Sequence, residues 1–241
     1  MESQDQQLNA NSAKQEQVIF TLEDALSAIK KNGIAGITNR IINADCLEVM
    51  KGIPDKAVDL VLTDPPYGIN CEYDAFNDTS DNVNNLIKSF MPEVLRIGKI
   101  VALTPGNRNI YSYPKPDWIL SWTVPQGNGV SCWGFICWHA ILVYGKDPYL
   151  TNRLGSQPDL ITGKNITSEK FSHPCPKPID IWSKILQRCS IKNTDIILDP
   201  FLGSGTTAVA CKSLGRKFIG IEKSLKYCEI AERRLAQEYL F

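Results

Sequence analysis

Short apolar segments that alternate with longer amphipathic segments constrain the fold of this chain more than any other feature of its sequence. Strands that alternate with helices predict a mostly parallel sheet with helices on both faces, the doubly wound α/β arrangement. The predicted strands cover residues 40–44, 58–63, 99–104, 195–198 and 217–221, and the predicted helices cover residues 21–31, 46–51, 83–95, 179–189, 206–214 and 225–238. Residues 118–123 and 135–144, joined by a glycine-rich connection, predict an antiparallel pair near one side of this sheet.

The composition is that of an ordinary globular protein with one core. Hydrophobic residues make up 43% and charged residues 22% of the 241 residues, and the formal net charge is zero. No apolar stretch approaches the ~20 residues that cross a bilayer, and the polar N-terminus lacks the apolar region of a signal peptide. We therefore expect a cytoplasmic protein without a membrane partner. Residues 1–17 are expected to be a disordered tail, and residues 18–38 an N-terminal helix.

The eight cysteines are spread singly along the chain, mostly among apolar neighbours, which is typical of reduced, buried thiols. The nearest approach to a metal-binding pattern is Cys132, Cys137 and His139, with His173 and Cys175 further along the chain. No two cysteines have the CxxC spacing of a zinc site, so the sequence predicts no metal site.

The tetrapeptide Asp64-Pro65-Pro66-Tyr67 follows a predicted strand and carries the clearest chemical signal. Its carboxylate can accept a hydrogen bond from an exocyclic amine, and the prolines fix the backbone so that a carbonyl can accept a second one. The tyrosine can stack on a flat ring. These properties favour a pocket for a ring that bears an amine. The alternative is a turn that closes the strand, with Tyr67 packed beneath it.

A second motif, residues 199–208, follows a predicted strand and opens a predicted helix. Gly203 and Gly205 permit a tight turn and the close approach of a ligand, and Glu222 ends the next strand, where an acid binds ribose hydroxyls. The motif predicts a nucleoside-containing cofactor, against the alternative of a tight turn with a solvated acid. Asp199 in front of the glycines suits a cationic ligand such as S-adenosylmethionine. The GxGxxA spacing alone also fits an NAD-dependent oxidoreductase, although an acid there suits a pyrophosphate poorly.

Together the two motifs resemble those of the DNA amino-methyltransferases, which methylate adenine N6 or cytosine N4, and the resemblance covers the chain from Arg40 onward. Residues 64–67 match the catalytic motif of that family, and residues 199–207 match its cofactor loop. The catalytic motif precedes the cofactor loop, which resembles the circularly permuted β class. The resemblance implies a Rossmann-like methyltransferase fold with a mostly parallel, seven-stranded sheet, in a single domain over residues 39–241.

Further segments are similar to motifs of the same family. Residues 43–46 resemble the segment near the cofactor adenine, with Ala44 in place of the usual glycine, and residues 173–178 resemble the segment at the methionine end of the cofactor. The resemblance implies that residues 64–67 are catalytic. It implies that S-adenosyl-L-methionine is bound by Asp45, Cys46, Asp64, His173, Lys177, Pro178, Asp199, Pro200, Phe201, Gly203, Ser204, Gly205, Thr206, Thr207 and Glu222.

The function implied by the resemblance is methyl transfer to the N6 amine of an adenine flipped out of double-stranded DNA. Aspartate at position 64 favours adenine within the family, and cytosine N4 is the alternative. A methyltransferase-like DNA-binding subunit without catalysis is the alternative from another class. The protein partner is left undetermined between a second copy of the chain, in a homodimer, and a cognate restriction enzyme. The expected location is the cytoplasm of a bacterium or of a phage host.

Sequence recognition is expected in a short insertion, residues 145–172, where this class often holds its target-recognition region. Its basic side chains can hold DNA phosphates, and they are Lys146, Arg153, Lys164 and Lys170. Three aromatic residues before it, Trp133, Phe135 and Trp138, are expected to pack in the core of strands at the side of the sheet rather than to stack on bases.

Overall fold

Nine strands form the central sheet of the part of the chain that the computed structural model describes, residues 19–127, 129–163 and 177–237. Two more strands, β6 (Val130–Ser131) and β7 (Gly134–Phe135), form a separate hairpin. The strands of the central sheet are β1 (Ile19–Thr21), β2 (Arg40–Asn43), β3 (Val58–Thr63), β4 (Gly98–Leu103), β5 (Trp118–Thr123), β8 (Trp138–Tyr144), β9 (Leu160–Ile161), β10 (Ile196–Asp199) and β11 (Lys217–Glu222). The helices are α1 (Leu22–Asn32), α2 (Cys46–Lys51), α3 (Ser80–Ile97), α4 (Pro148–Thr151), α5 (Ile179–Cys189), α6 (Thr206–Ser213) and α7 (Leu225–Ala236), with 3-10 helices at Gly33–Ile37 and Asn107–Ser112.

The strand order across the central sheet is β1-β2-β11-β10-β3-β4-β8-β5-β9, and β6 and β7 pair with each other. The strands from β1 to β4 in that order run parallel, whereas β8 runs antiparallel to both of its neighbours. This arrangement confirms the predicted α/β fold with its antiparallel element. The sheet has more strands than the predicted seven, because the very short β1 and β9 extend it on its two sides. Strands this short leave too few residues for a recognisable pattern.

Helices cover both faces of the sheet. The helices α5, α6 and α7 pack on one face, and α1, α2 and α3 pack on the other. Successive strand residues alternate between these layers, as the pleat requires: Ile41 belongs to the first and Ile42 to the second, and both are fully buried. Among these described helices, none combines the length and the apolar character needed to cross a membrane.

The N-terminal segment adds a strand and a capped helix to the same sheet. The Thr21 hydroxyl accepts a hydrogen bond from the backbone N–H of Asp24, and the Asp24 carboxylate accepts one from the backbone N–H of Thr21. This capping box fixes the start of α1. Because β1 pairs with β2, the N-terminal segment is part of the same sheet as the rest of the chain, and the domain boundary at residue 39 stays a prediction. The tail at residues 1–17 lies outside the described residues.

The segment between β5 and β8 departs from the prediction. The strand expected over residues 135–144 begins only at Trp138, because Phe135 pairs with Val130 in a separate hairpin. The expectation that the three aromatic residues here pack in a core is wrong, since Trp133, Phe135 and Trp138 are 96%, 77% and 44% exposed. The hairpin lies outside the central sheet, and its aromatic side chains therefore meet solvent.

Residues 145–163 run from the amino end of the parallel strands to their carboxyl end. Because β8 is antiparallel to β4, its last residue, Tyr144, pairs with Val101 in the middle of β4, and the next residue, Gly145, lies beside Lys99 near the start of β4. The helix α4 follows there, and β9 then returns beside β5, with Ile161 opposite Trp122. The first part of the predicted recognition insertion therefore lies at the amino end of the parallel strands.

The Phe90 ring joins α3 to the loop after β10. Phe90 is fully buried and packs edge-on against Phe201, with ring centroids 5.1 Å apart and ring planes at 88°. A second edge contact, with Tyr113, has a centroid distance of 6.4 Å. The core on this face of the sheet thus supports a loop at the carboxyl end of a central strand.

Replacing Phe90 with alanine is expected to lower the free energy of unfolding by about 3–5 kcal/mol, because the ring leaves a cavity behind. Phe90→Leu, which fills most of that cavity, is expected to be less destabilising. Urea unfolding followed by circular dichroism measures both. Lys88→Ala, an exposed position on the same helix, is the control and should stay within about 0.5 kcal/mol of wild type. A Phe90→Ala loss no larger than that of the control would contradict this packing.

Candidate active site

Acidic residues stand at the carboxyl ends of four neighbouring parallel strands. Asp64 follows β3, Asp199 ends β10, Glu222 ends β11, and Asp45 lies just beyond β2. The chain leaves β10 toward β11 on one side and β3 toward β4 on the other. The crevice between β3 and β10 is therefore the switch point at which open α/β sheets bind ligands. All four acids line one cleft.

The Asp64 carboxylate is surrounded by hydrogen-bond donors. One oxygen accepts hydrogen bonds from the hydroxyls of Tyr67 and Thr104, and the other pairs with the Lys177 ammonium group. This ammonium group also lies 5.1 Å from the centroid of the Tyr67 ring. Gly106 has a φ of +67°, and a Cβ there would lie 3.0 Å from a carbon of that ring, so a glycine lets the ring lie against the backbone. Lys177, predicted at the cofactor, thus contacts the tetrapeptide.

The Asp199 carboxylate is buried and fully hydrogen-bonded. One oxygen accepts from the Thr63 hydroxyl at 2.6 Å and from the Phe201 backbone N–H at 3.0 Å, and the other accepts from the Thr207 hydroxyl. The Trp182 indole N–H donates to the same Thr207 oxygen at 2.7 Å. Burial raises the pKa of Asp199 to about 6, although the hydrogen bonds from Thr207 and Thr63 act in the opposite direction.

The loop between β10 and α6 is shaped by its glycines and held by Glu222. Gly203 and Gly205 have φ values of 53° and 87°, and a Cβ on Gly205 would lie 2.6 Å from the Cβ of Ala231 in α7. The Glu222 carboxylate accepts hydrogen bonds at 2.8 Å from the backbone N–H groups of Gly203 and Ser224, one on each oxygen. Burial raises the pKa of Glu222 above its ordinary value.

Asp45 and Cys46 stand together at the start of α2. The Asp45 carboxylate caps the helix by accepting from the Leu47 backbone N–H at 3.0 Å, and its other oxygen lies 3.2 Å from the Lys223 ammonium group. Burial, and then the neighbouring Asp45 charge, raises the pKa of the Cys46 thiol to about 12. The thiol is therefore neutral at physiological pH, and it contributes a packing surface rather than a nucleophile.

A loop over residues 68–79 covers one side of the cleft. The buried Asp78 carboxylate accepts hydrogen bonds at 2.7–3.1 Å from three backbone N–H groups, those of Gly68, Ile69 and Cys71. The Ser224 hydroxyl donates to the Asp74 carboxylate at 2.6 Å and ties the loop to the start of α7. The cleft thus has mostly apolar walls with acids placed along them, which suits a flat ring that carries polar groups.

Sequence analysis did not identify Thr104, Asp78 or Trp182 as part of this site. Of these three residues, only Thr104 could have been predicted from the sequence. It is a polar residue directly after β4, and β4 is the neighbour of β3 in the sheet. The Thr104 backbone N–H donates to the Thr63 carbonyl at 3.2 Å. Asp78 acts within its own loop, by accepting hydrogen bonds from backbone N–H groups, and Trp182 contacts the site through Thr207 in a different helix.

The structure does not bring every predicted residue to the cleft. Lys146 lines a second cavity, together with Asp117 and Arg188, at the amino end of the parallel strands, and Arg153 follows α4 at that same end. Three predicted residues lie outside the described part of the chain: Lys164, Lys170 and His173. Within residues 19–127, 129–163 and 177–237, no group of three or more His, Cys, Asp or Glu side chains is placed to hold a metal ion.

The chain is similar in sequence to known methyltransferases along most of its length. The profile of the N6_N4_Mtase family, described as DNA methylase, matches residues 122–233. The type II methyltransferase M.HinfI of Haemophilus influenzae is 29% identical over 86% of this chain and 71% of its own length. The type II methyltransferase M.HpaI of Haemophilus parainfluenzae is 28% identical over 83% of this chain and 75% of its own length.

Solved structures agree with this relationship. The M1.HpyAVI-SAM complex is 25% identical, has a TM-score of 0.57, and covers 82% of this chain and 99% of its own. The PvuII DNA methyltransferase, cytosine-N4-specific, shares the fold with a TM-score of 0.62 at 16% identity, over 84% of this chain and 88% of its own. With its tetrapeptide, its glycine loop and these matches, the chain is similar in sequence and in fold to the N6/N4 DNA methyltransferases.

Proposed function

We propose that this chain transfers a methyl group from S-adenosylmethionine to the N6 amine of an adenine flipped out of double-stranded DNA. The observation that carries the proposal is the position of Asp64 next to Asp199 at the switch point. Asp64 can accept a hydrogen bond from an amine, and Asp199 begins the glycine-rich loop. Thr63, the residue before Asp64, donates a hydrogen bond to Asp199 and so links the two. The names of the relatives as type II methyltransferases, and the relative solved as a SAM complex, support the reaction and the cofactor.

The residues of the cleft fit S-adenosylmethionine. Each Glu222 oxygen has acceptor capacity left beside its backbone contact, so this acid would bind the ribose hydroxyls. Asp45 and Cys46 would lie at the adenine, and Asp199 would face the charged methionine end. When bound, the cofactor supplies an electrophilic methyl group on a sulfonium. We assign the remaining cofactor contacts to two segments of the sequence. Residues 199–207 contribute Pro200, Phe201, Gly203, Ser204, Gly205, Thr206 and Thr207, and residues 173–178 contribute His173, Lys177 and Pro178.

The tetrapeptide would orient the target amine. An exocyclic amine is a weak nucleophile because its lone pair is delocalised into the ring. Hydrogen bonds from the amine to the Asp64 carboxylate and the Pro65 carbonyl would localise that lone pair, and Pro66 would hold the turn rigid. Tyr67 would stack on the flipped base, a contact worth about 1–3 kcal/mol. Lys177, which pairs with Asp64 in this structure, would share that carboxylate with the amine. Alignment then supplies most of the catalysis.

Adenine is our proposed target because family members with aspartate at the first position of the tetrapeptide mostly methylate adenine. Cytosine N4 is the alternative, since either amine fits the same two acceptors. We also propose that residues 39–241 form one methyltransferase domain and that the enzyme acts in the cytoplasm, where its DNA substrate is found. A homodimer or a cognate restriction enzyme would be its protein partner.

Replacing Asp64 with asparagine or alanine is expected to lower methyl transfer at least about 100-fold, because the amine loses the acceptor that orients it. The assay follows labelled methyl groups from S-adenosylmethionine into unmethylated bacterial DNA. Mass spectrometry of the digested DNA is expected to find N6-methyladenine. Asp55→Asn, with a side chain that is 76% exposed, is the matched control and should transfer at the wild-type rate.

Three outcomes would contradict parts of this account. N4-methylcytosine as the product would establish the other base. Wild-type protein that binds DNA but transfers nothing would support the non-catalytic subunit. Saturable binding of NAD, without binding of S-adenosylmethionine, would support an oxidoreductase. Thermal unfolding of Asp64→Asn, followed by circular dichroism, separates a loss of catalysis from a loss of folding.

The affinity for S-adenosylmethionine is expected to rise about tenfold between pH 5 and pH 7. Below a pKa of about 6 the Asp199 carboxyl is protonated and neutral, and above it the carboxylate attracts the cationic cofactor. The cofactor ammonium keeps its proton throughout this window. Calorimetric titration at several pH values measures the rise, and Asp199→Asn should bind weakly with a flat profile. A wild-type affinity that falls or stays constant over this window would contradict the assignment.

A further inference from the structure

The β6–β7 hairpin stands above the carboxyl end of the sheet, on the side of the catalytic tetrapeptide. Leu103, the last residue of β4, pairs with Leu142, whereas β8 begins four residues earlier at Trp138. At ~3.3 Å per residue, Trp138 therefore lies roughly 13 Å beyond the end of β4. Trp138 pairs with Thr123, so the β6–β7 hairpin, which lies between these two residues in the chain, follows β5 at this end of the sheet.

Side-chain hydrogen bonds tie the base of this hairpin to the tetrapeptide. The Asn107 amide donates to the Trp138 carbonyl at 2.9 Å, and its oxygen accepts from the Ala140 backbone N–H at 3.0 Å. In the same 3-10 helix, the Asn109 amide donates to the Tyr67 carbonyl at 2.8 Å. A short rigid segment thus connects the hairpin to the residue proposed to stack on the flipped base.

The hairpin tip is ordered by its own contacts and yet exposes large apolar groups. The Ser131 hydroxyl donates to the Gly134 carbonyl at 3.0 Å and accepts from the Trp133 backbone N–H at 3.1 Å. Trp133, Phe135 and Val130 are 96%, 77% and 72% exposed. Apolar side chains clustered at this exposure mark an interaction site on a soluble protein.

The charge of the segment decides which part of DNA it can contact. Residues 118–145 contain no Lys, Arg, Asp or Glu. Burial, with the nearby Lys177 charge, lowers the pKa of His139 below its ordinary value, so this ring is neutral at pH 7. A neutral, aromatic surface offers no partner for a phosphate. It offers flat apolar faces for bases, as the apolar wedges of DNA-bending proteins do.

We propose that the hairpin is a DNA wedge, in which Trp133 enters the base stack beside the flipped nucleotide while Phe135 and Val130 flank it. This proposal rests on the proposed function, since an extruded base leaves a gap in the stack directly above the cleft. The indole replaces the lost stacking contacts and keeps the extruded base from returning.

Trp133→Ala is expected to lower kcat/KM about 5- to 150-fold on a paired duplex, the range of one lost stacking contact. The probe is a duplex that carries the target sequence found by methylation mapping of DNA from cells that express the wild type. On the same duplex with an abasic site opposite the target base, the loss should shrink to about threefold or less, because extrusion is then easy. Trp133→Phe, which keeps a stacking ring, should restore most of the activity.

Trp118→Ala is the matched control. Trp118 is 62% exposed at the start of β5, the end far from the cleft, and should behave as wild type on both duplexes. Cofactor binding by calorimetry should be the same in all variants. Equal losses for Trp133→Ala on the two duplexes, or no loss relative to the control, would overturn the proposal. So would a change from dimer to monomer in sedimentation, because the hairpin would then contact a second copy of the chain.

Duplex binding, measured by fluorescence anisotropy with labelled, fully paired fragments of unmethylated bacterial DNA, gives a readout that needs no methyl transfer. Trp133→Ala should bind these paired fragments at least about fivefold more weakly than wild type. If wild-type protein transfers no methyl group to any DNA, the proposed function fails. The anisotropy result then decides on the wedge alone, and unchanged binding would overturn it.

Discussion

The buried carboxylate of Asp199 is the contact on which the rest of the site depends. It accepts hydrogen bonds from Thr63 at the end of β3 and from Thr207 at the start of α6, so it joins the two central strands and the helix that follows them. An ionised carboxylate is stable in such a place only when its oxygens are satisfied, and burial still raises its pKa. These bonds fix the spacing between the strand that carries the tetrapeptide and the loop proposed to hold the cofactor. A ligand that brings a positive charge into this cleft would give the Asp199 carboxylate an oppositely charged partner.

The same geometry explains why the order of the motifs along the chain is immaterial to the site. Thr63 and Asp199 are 136 residues apart in sequence, yet β3 and β10 are neighbours in the sheet. Strand pairing depends on position in space, so a permuted chain can assemble the same cleft. Around it, Lys177 and Thr104 hold the Asp64 carboxylate, and Glu222 holds the glycine loop. Each acid is thus fixed by donors from a different segment, which makes the cleft rigid before any ligand enters.

The alternation of apolar and amphipathic segments was enough to predict the parallel sheet, and the positions of the acids at strand ends were enough to predict which acids lie near one another. The positions of the segments before and after the antiparallel strand β8 could not be predicted. The antiparallel pair of β5 and β8 was predicted, but the sequence could not show that β8 also pairs with β4, or that Lys146 follows β8 at the end far from the cleft. An apolar run such as the one around Trp133 is typical of a core strand, and only the hairpin pairing of Val130 with Phe135 reveals it as exposed. The Lys177 contact with Asp64 likewise depends on where α5 begins in space.

A crystal structure with S-adenosylhomocysteine and a target duplex would show directly whether the cleft holds the cofactor and the flipped base as proposed. We expect ribose hydroxyls on the Glu222 carboxylate, the cofactor sulfur directed toward Asp64, and an extruded adenine with its amine between the Asp64 carboxylate and the Pro65 carbonyl. Density for the cofactor outside this cleft, or with its sulfur directed away from Asp64, would contradict the proposal.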